Sequence, residues 1–508
     1  MLRKDMNNHF LHDFLRPKSI ATFGANNTFG TTMGTMLLIR IINSNFKGKI
    51  FPIHPKLDVV LGYKAYKSIS DVPEIPDLAL IVLPPRVVPQ VFKECGEKGV
   101  KKIILISGGF RELAGDRSNT LTEEIVGIAK KYGIRFTGPN CLGAYNSWIY
   151  PEADGAFNTM MWREQTGRSK FSMVSQSGTL ASQLWLDPDY PDFSVGKAIS
   201  VGNEANIDLV DFLEYFKDDV ETDVIGLYIE EVKRGKKFIQ LAKEISLKKP
   251  IVAMYGGGSQ AGNRAIRSHT GSIGGDLKIF NAMTKETGII KTNDVEEFLD
   301  LISMLLKPNF PLPKGKRIGI ITFAGGPGAL LATNAERKGF IVPEFSESLK
   351  SKLEKTLPHT ASWNNPIDIT FDMNIFNLYI HFPKLLMKSG EIDIIIIYGA
   401  MGFQSMVSFD NQNEKISNNI ELMENMRDRV DEMDKVLIAP TLASSQKYSV
   451  PIIYINPNSY ADEWSNKIRE YGGVVFQFWD RPVNCLAKLC DYAEYRRDAL
   501  KKNNKKKF

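Results

Sequence analysis

The chain has 508 residues, 43% of them hydrophobic and 24% charged. That balance belongs to a globular protein with a sizeable core, and the length suggests about three domains. Net charge is +6, but the final KKNNKKKF carries five lysines and the remainder balances at +1 (6 − 5); no basic stripe is interleaved with aromatics, so nucleic-acid binding is not indicated. The four cysteines form no CxxC pair, the N-terminus lacks a signal-peptide core, and the longest apolar runs are strand-sized. The expectation is therefore a cytoplasmic protein with no disulfide framework and no membrane span.

Short β-branched runs alternate with helix-length amphipathic segments from Ser19 to Phe476, the pattern of parallel α/β structure. In a first unit, residues 1–150, strands are predicted at 19–23, 49–53, 78–83, 102–106 and 134–136, with helices such as 33–42 and 86–95 between them, in a Rossmann-like order. In a second, residues 165–306, strands are predicted at 171–174, 198–201, 224–229 and 251–254. Residues 307–315, KPNFPLPKG, break the pattern and read as a linker. A third unit, 316–500, has buried strands at 317–322 and 392–398, a solvent-facing helix within 408–435 and a final helix over 481–500. The lysine-rich tail, 501–508, reads as a solvated, frayed end.

The first strand runs into Gly24-Ala25-Asn26-Asn27-Thr28-Phe29-Gly30. Glycines at a strand-to-helix turn let backbone amides approach a phosphate. The spacing is not GxGxxG, so the dinucleotide fingerprint is absent. After the second strand stands Pro52-Ile53-His54-Pro55-Lys56, where an NAD site would place an acidic residue for the ribose. A lysine suits a phosphate instead, so CoA or another phosphorylated nucleotide fits better than NAD. On its own, Lys56 reads equally well as a surface residue.

In the second unit, Arg267-Ser268-His269-Thr270-Gly271-Ser272 sets a histidine among small residues, read as a loop. A neutral imidazole there is a competent nucleophile toward an acyl phosphate or a nucleotide γ-phosphate. Strand 224–229 ends in Glu230-Glu231, where a carboxylate can hold one imidazole nitrogen and raise the nucleophilicity of the other. Val174-Ser175-Gln176-Ser177-Gly178-Thr179 is a second strand-to-helix turn, whose hydroxyls and amides suit a phosphoryl group.

The segments RPKSIATFGA, GKIFPIHPK, ECGEKGVKKIILISGGF and YGIRFTGPNCLG resemble the CoA-binding domain of the succinyl-CoA synthetase α-subunit. They resemble that of the nucleoside-diphosphate-forming acetyl-CoA synthetases more closely. The resemblance implies CoA contacts from Gly24, Lys56, Pro84, Pro85 and Asn140. It implies phosphorylation of His269, support from Glu230 (Glu231 being the alternative) and phosphate binding by Ser175, Ser177, Gly178 and Thr179. SVGNEANID, residues 200–208, matches a further family loop. In the third unit, ITFAGGPG and ASWNNPIDIT resemble the flavodoxin-like third domain of the same enzymes. The implied fold is a Rossmann-like CoA-binding domain followed by two flavodoxin-like, succinyl-CoA synthetase-like domains.

Such enzymes bind nucleotide on an ATP-grasp module, and the three units leave no stretch to supply one. The resemblance thus implies a separate ATP-grasp β-subunit, an α2β2 assembly, and Mg²⁺ with ADP/ATP (or GDP/GTP) on that partner. No metal site is expected on this chain; His9, His12, His54, His359 and His381 show no ligand spacing. The expected activity is acid–thiol ligation: acyl-CoA, phosphate and NDP exchange with acid, CoA and NTP. A non-catalytic CoA or acyl-CoA sensor is the alternative, disfavoured because a sensor needs neither His269 nor Glu230. An NAD-linked dehydrogenase is disfavoured by the missing fingerprint and by Lys56. Which acid is used depends on a few pocket side chains and is not legible.

Overall fold

The computed structural model describes Met6 and residues 9–112, 116–150, 152–160, 167–183, 193–270, 275–370, 374–400, 436–458 and 463–505. The chain forms two compact units, Met1–Phe298 and Leu299–Phe508, which divide within the helix Val295–Leu306.

The first unit carries two large sheets. One is five-stranded and wholly parallel, with Lys49–Ile53 at one edge, then Ser19–Phe23, Leu78–Ile81, Lys102–Leu105 and Arg135–Thr137. Every residue of Ser19–Phe23 and Leu78–Ile81 is buried. That is why Leu78–Ile81 is continuously apolar rather than alternating. A small hairpin, Val59–Val60 with Tyr63–Lys64, follows the edge strand. The second sheet has seven strands. Its parallel part runs Ile290–Lys291, Ile251–Tyr255, Val224–Ile229, Phe171–Ser175, Lys197–Ser200.

Ala144–Asn146 and Phe157–Asn158 extend this second sheet antiparallel at the Lys197–Ser200 edge. Residues 144–146, next to the GPN loop in sequence, thus pair with the second sheet. One apolar cluster reaches from Leu11 and Ile20 through Val174 and Ile225 to Ile289, so the two sheets share a core.

The second unit holds a five-stranded parallel sheet in the order Ile367–Asp368, Ile318–Thr322, Ile394–Tyr398, Ile452–Ile455, Val474–Phe476. In chain order this is 2-1-3-4-5, the flavodoxin-like arrangement. Ile394, Ile395, Ile396 and Ile397 are all 0% exposed, as a central strand covered on both faces requires. The anticipated final helix runs over Asp480–Lys505, five residues past its expected end. Lysines are good helix formers and are favoured at a helix C-terminus, so the basic tail extends the helix before it ends. The helix anticipated within 408–435 lies outside the described residues. Among the described residues no helix is long and apolar enough to cross a membrane.

Candidate phosphate and CoA site

Parallel strands deliver all their C-terminal loops to one edge of a sheet, and this determines where the anticipated residues fall. In the first sheet those loops carry Gly24, Lys56, Pro84 with Pro85, and Asn140. Gly24 has φ +91°, and a Cβ there would stand 1.9 Å from Val82 O, so the turn and the neighbouring loop touch through backbone. Thr32 caps the following helix, Met33–Asn43, accepting from Thr35 N. Asn26 Oδ1 accepts from Thr28 N at 2.8 Å, closing the turn between strand and helix.

Lys56 is exposed. His54 shapes its turn, with Nδ1 accepting from Lys56 N at 3.2 Å and Leu57 N at 3.0 Å. Burial, with Lys67 and Lys56 close by, holds the imidazole below its ordinary pKa. It stays a neutral acceptor. Lys67 Nζ donates to Lys56 O, so two ammonium groups stand by this turn. Pro84 and Pro85 open a short 3-10 turn, and a Cβ on Gly109 would lie 2.7 Å from Pro85 Cγ. Asn140, at φ +58°, donates through its backbone to Ser107 O at 2.9 Å and through Nδ2 to Asn203 Oδ1 at 3.3 Å.

Asn203 belongs to the corresponding edge of the second sheet. Four backbone hydrogen bonds interlock the two edges: Gly138 N to Val201 O, Asn203 N to Pro139 O, Ala205 N to Gly138 O and Ile207 N to Phe136 O, all between 2.9 and 3.1 Å. Beside them opens a small pocket of about 20 Å³ lined by Arg111, Gln176, Gly202, Asn203, Glu204, Glu230, Glu231 and Lys233. Gln176 ties together the turns on either side. Its Oε1 accepts from Glu230 N and Glu231 N, and its Nε2 donates to Glu231 O at 2.7 Å. Glu230 is buried and hydrogen-bonds Tyr228, whose phenol is raised by burial first and then by the Glu230 charge. Lys233 Nζ donates to Asn203 O and Glu204 O. Burial lowers its pKa, against the opposing pull of Glu204.

Of the residues anticipated from sequence, Glu230 and the alternative Glu231 line this pocket. Ser175 ends its strand and Gly178 begins a helix, Gly178–Gln183, as a phosphate turn would require. Ser175 Oγ, however, donates to Ser177 O at 2.6 Å, and Ser177 Oγ accepts weakly from Leu180 N; Thr179 is exposed. The hydroxyls are thus turned to the local backbone. His269 lies in the last turn of the helix Gln260–Thr270 rather than in a loop. Its small neighbours suggested a loop, but the run from Gln260 to Thr270 has no glycine after Gly262 to interrupt a helix. Residues 271–274 lie outside the described set. Gln176, Arg111, Lys233 and Glu204 were not singled out from sequence, though Gln176 stands inside the noted Ser175–Thr179 turn and Glu204 inside the 200–208 loop.

Residues 18–147 match the CoA binding domain, and residues 168–305 match the succinyl-CoA ligase like flavodoxin domain. Among curated proteins, the chain is 37% identical over 383 residues to acetate–CoA ligase [ADP-forming] II subunit alpha of Pyrococcus furiosus, covering 75% of this chain and 81% of that one. The chain belongs to the family of ADP-forming acetate–CoA ligase α-subunits. Some members of the wider family are single longer chains. Acetate–CoA ligase [ADP-forming] of Methanocaldococcus jannaschii is 40% identical over 70% of this chain, which spans 48% of its length. A solved structure agrees along nearly the whole chain. The dinucleotide-forming acetyl-coenzyme A synthetase 1 of Ca. Korarchaeum cryptofilum, in complex with phosphate and ADP, matches with TM-score 0.77 and 27% identity, over 97% of this chain and 98% of that one. This α-subunit therefore carries the family's CoA-binding and flavodoxin-like modules on the two sheets whose edges interlock.

Proposed function

We propose that this α-subunit binds CoA on its first sheet, carries a phosphoryl group on His269, and works with a separate ATP-grasp β-subunit. The reaction is acyl-CoA + phosphate + ADP (or GDP) ⇌ acid + CoA + ATP (or GTP). The observation that carries this reading is the pocket at the interlocked edges, where Glu230 and two cationic side chains, Arg111 and Lys233, stand together. Cations at a sheet's C-terminal edge suit an oxyanion, and the same edge presents Lys56 to the phosphates of CoA.

Phosphate oxygen attacks the thioester carbonyl, the C–S bond breaks, and CoA leaves as thiolate to give an acyl phosphate. An imidazole nitrogen of His269 then attacks phosphorus, and the P–O bond to the acyl group breaks with the acid as leaving group. Glu230 holds the other imidazole nitrogen and stabilises the charge on the ring. The phosphoryl group passes from His269 to NDP on the partner, where Mg²⁺ offsets charge on the phosphates. In this reading the ion belongs to the partner together with the nucleotide. An α2β2 assembly in the cytoplasm is part of this reading.

The test is labelling from acyl [³²P]phosphate, scored as acid-labile, base-stable protein phosphate. His269→Ala abolishes the label if the assignment holds, and undiminished labelling refutes it. Glu230→Gln slows labelling with CoA affinity unchanged; equal loss of both would make Glu230 a structural residue. The purified chain alone makes no NTP from acyl-CoA, phosphate, Mg²⁺ and NDP, and robust turnover would remove the need for a partner.

A further inference from the structure

The opposite end of the first sheet carries a feature that the proposed reaction leaves unused. A cavity of about 370 Å³ opens there, with His12, Arg16, Lys18, Lys47, Ile149 and Tyr150 in its lining. Lys18 precedes strand Ser19–Phe23, and Lys47 precedes strand Lys49–Ile53. Lys49 N donates to Lys18 O at 3.0 Å, so the two lysine-bearing segments run side by side. Gly24 and Lys56 follow the same two strands at their other ends. A five-residue strand spans about 17 Å, which separates this cavity from the CoA turns.

The charge around the cavity is of one sign. No carboxylate is among its lining residues. Arg16 is already committed, donating from Nη2 to both oxygens of Glu221 at 2.6 and 2.5 Å and from Nη1 to Ile149 O at 3.5 Å. Asp77 accepts from Lys18 N at 2.8 Å and Ser19 N at 3.0 Å. Glu74 pairs with Lys49, and Asp13 with Lys102. The Lys18 and Lys47 ammonium groups form no ion pair among the described residues; Lys47 Nζ lies 5.4 Å from the centre of the Tyr150 ring. Tyr150 is fixed at both ends, its phenol oxygen accepting from Lys47 N at 2.7 Å and its carbonyl from Arg168 Nη2. Burial holds the phenol above its ordinary pKa. It therefore keeps its hydrogen, for which no described residue is an acceptor. Two ammonium groups without counter-ions and a placed O–H form a donor set that lacks an acceptor.

We propose that this cavity is a second ligand site, which takes a small organic phosphate. The phosphoryl oxygens meet Lys18 and Lys47 and accept from the Tyr150 O–H, while the organic body lies on Ile149 and Pro17. The volume is that of a small-molecule site. A tetrahedral phosphoryl group suits separate point donors, whereas a planar carboxylate suits a guanidinium fork, and here that fork already serves Glu221. The proposal stands independently of the synthetase reading.

The experiment titrates the full-length chain calorimetrically at low ionic strength, with CoA present in excess to fill the turns at the other end of the sheet. The probes are glycerol 3-phosphate, glucose 6-phosphate and AMP, with inorganic phosphate and citrate for comparison. At least one organic phosphate should bind, more tightly than inorganic phosphate and more tightly than citrate. Lys18→Ala and Lys47→Ala should each weaken that probe about 10-fold, and Lys47→Arg should keep most of the affinity. CoA affinity and Tm should stay at their wild-type values in both alanine variants, which shows that they fold. No binding by any of the three organic phosphates, affinity indifferent to both lysines, or citrate or inorganic phosphate binding as tightly as every organic phosphate would each overturn the proposal. Repeating the titrations without CoA keeps the two readings apart. A chain that binds the organic phosphate but not CoA retains this site and loses the synthetase reading.

Discussion

Gln176 commits both ends of its amide to the backbone at the end of strand Val224–Ile229, so it positions Glu230. Gln176→Ala leaves two amides and a carbonyl unpaired near a buried carboxylate. It should cost about 2 kcal/mol and slow His269 labelling more than it weakens CoA binding, which melting and labelling rates together would show. Lys197 is the opposite case. Its side chain is 0% exposed and donates to Asp219 at 2.6 Å and Glu221 at 2.7 Å, at the start of its strand, away from the loops that carry chemistry. Lys197→Met leaves the buried Asp219 carboxylate without its ammonium partner while Glu221 keeps Arg16, and should cost about 3–5 kcal/mol, seen as a large drop in Tm with phosphate affinity retained below the transition. Burial raises the Asp219 carboxyl, but the Lys197 charge and hydrogen bond outweigh it and leave the pKa below its ordinary value. The pair therefore stabilises the fold above the ordinary carboxylate range. That contribution is lost as pH falls through the depressed value, an acid-side loss that Lys197→Met should lack.

At the scale of elements, the turn at Gly24 shows how the sequence carries its geometry. A Cβ at φ +91° and 1.9 Å from Val82 O cannot be accommodated without moving a strand end. Gly24→Ala should thus destabilise by roughly 3 kcal/mol or more and impair CoA binding, checked by denaturant unfolding and calorimetry. The parallel strands were legible because burial on both faces leaves continuous runs such as Ile394–Tyr398. The edge strands Ala144–Asn146 and Phe157–Asn158 were not legible, being short and set only by pairing, the first with Lys197–Ser200 and the second with the first. The site divides in the same way. Glu230 and the Ser175–Thr179 turn sit at strand ends and could be read from local pattern. Arg111, Gln176, Glu204 and Lys233 meet across 122 positions of sequence at most (233 − 111), and no periodicity reports such a meeting. Local pattern does not report that the Ser175 and Ser177 hydroxyls also meet their own backbone, for which short hydroxyls compete.

Across the whole molecule the four cysteines, Cys95, Cys141, Cys485 and Cys490, are buried and form no disulfide. Burial pushes the thiols of Cys95, Cys141 and Cys490 up to about 12, so thiolate is scarce at neutral pH. The native chain should give no rapid reaction with a thiol-specific disulfide reagent at pH 8, and all four should react in guanidinium. A fast-reacting thiol in the native chain would contradict this burial.

The backbone ladder between Gly138–Pro139 and Val201–Ile207 has a mechanical consequence. Two modules that meet through side chains can part along their boundary, but these are stitched main chain to main chain, and a single apolar cluster runs beneath the seam. Shearing them apart exposes amides and hydrophobic surface together, so the seam should be as hard to open as either sheet. A protease should then release no durable fragment ending near residue 147, and amide protons on both sides of the seam should exchange with one shared opening energy. The CoA-binding module, recognisable by sequence as a domain, would in that event have no independent life in this protein. Whatever moves during turnover should then be sought outside the seam, which main-chain hydrogen bonds and a shared core hold as one slab.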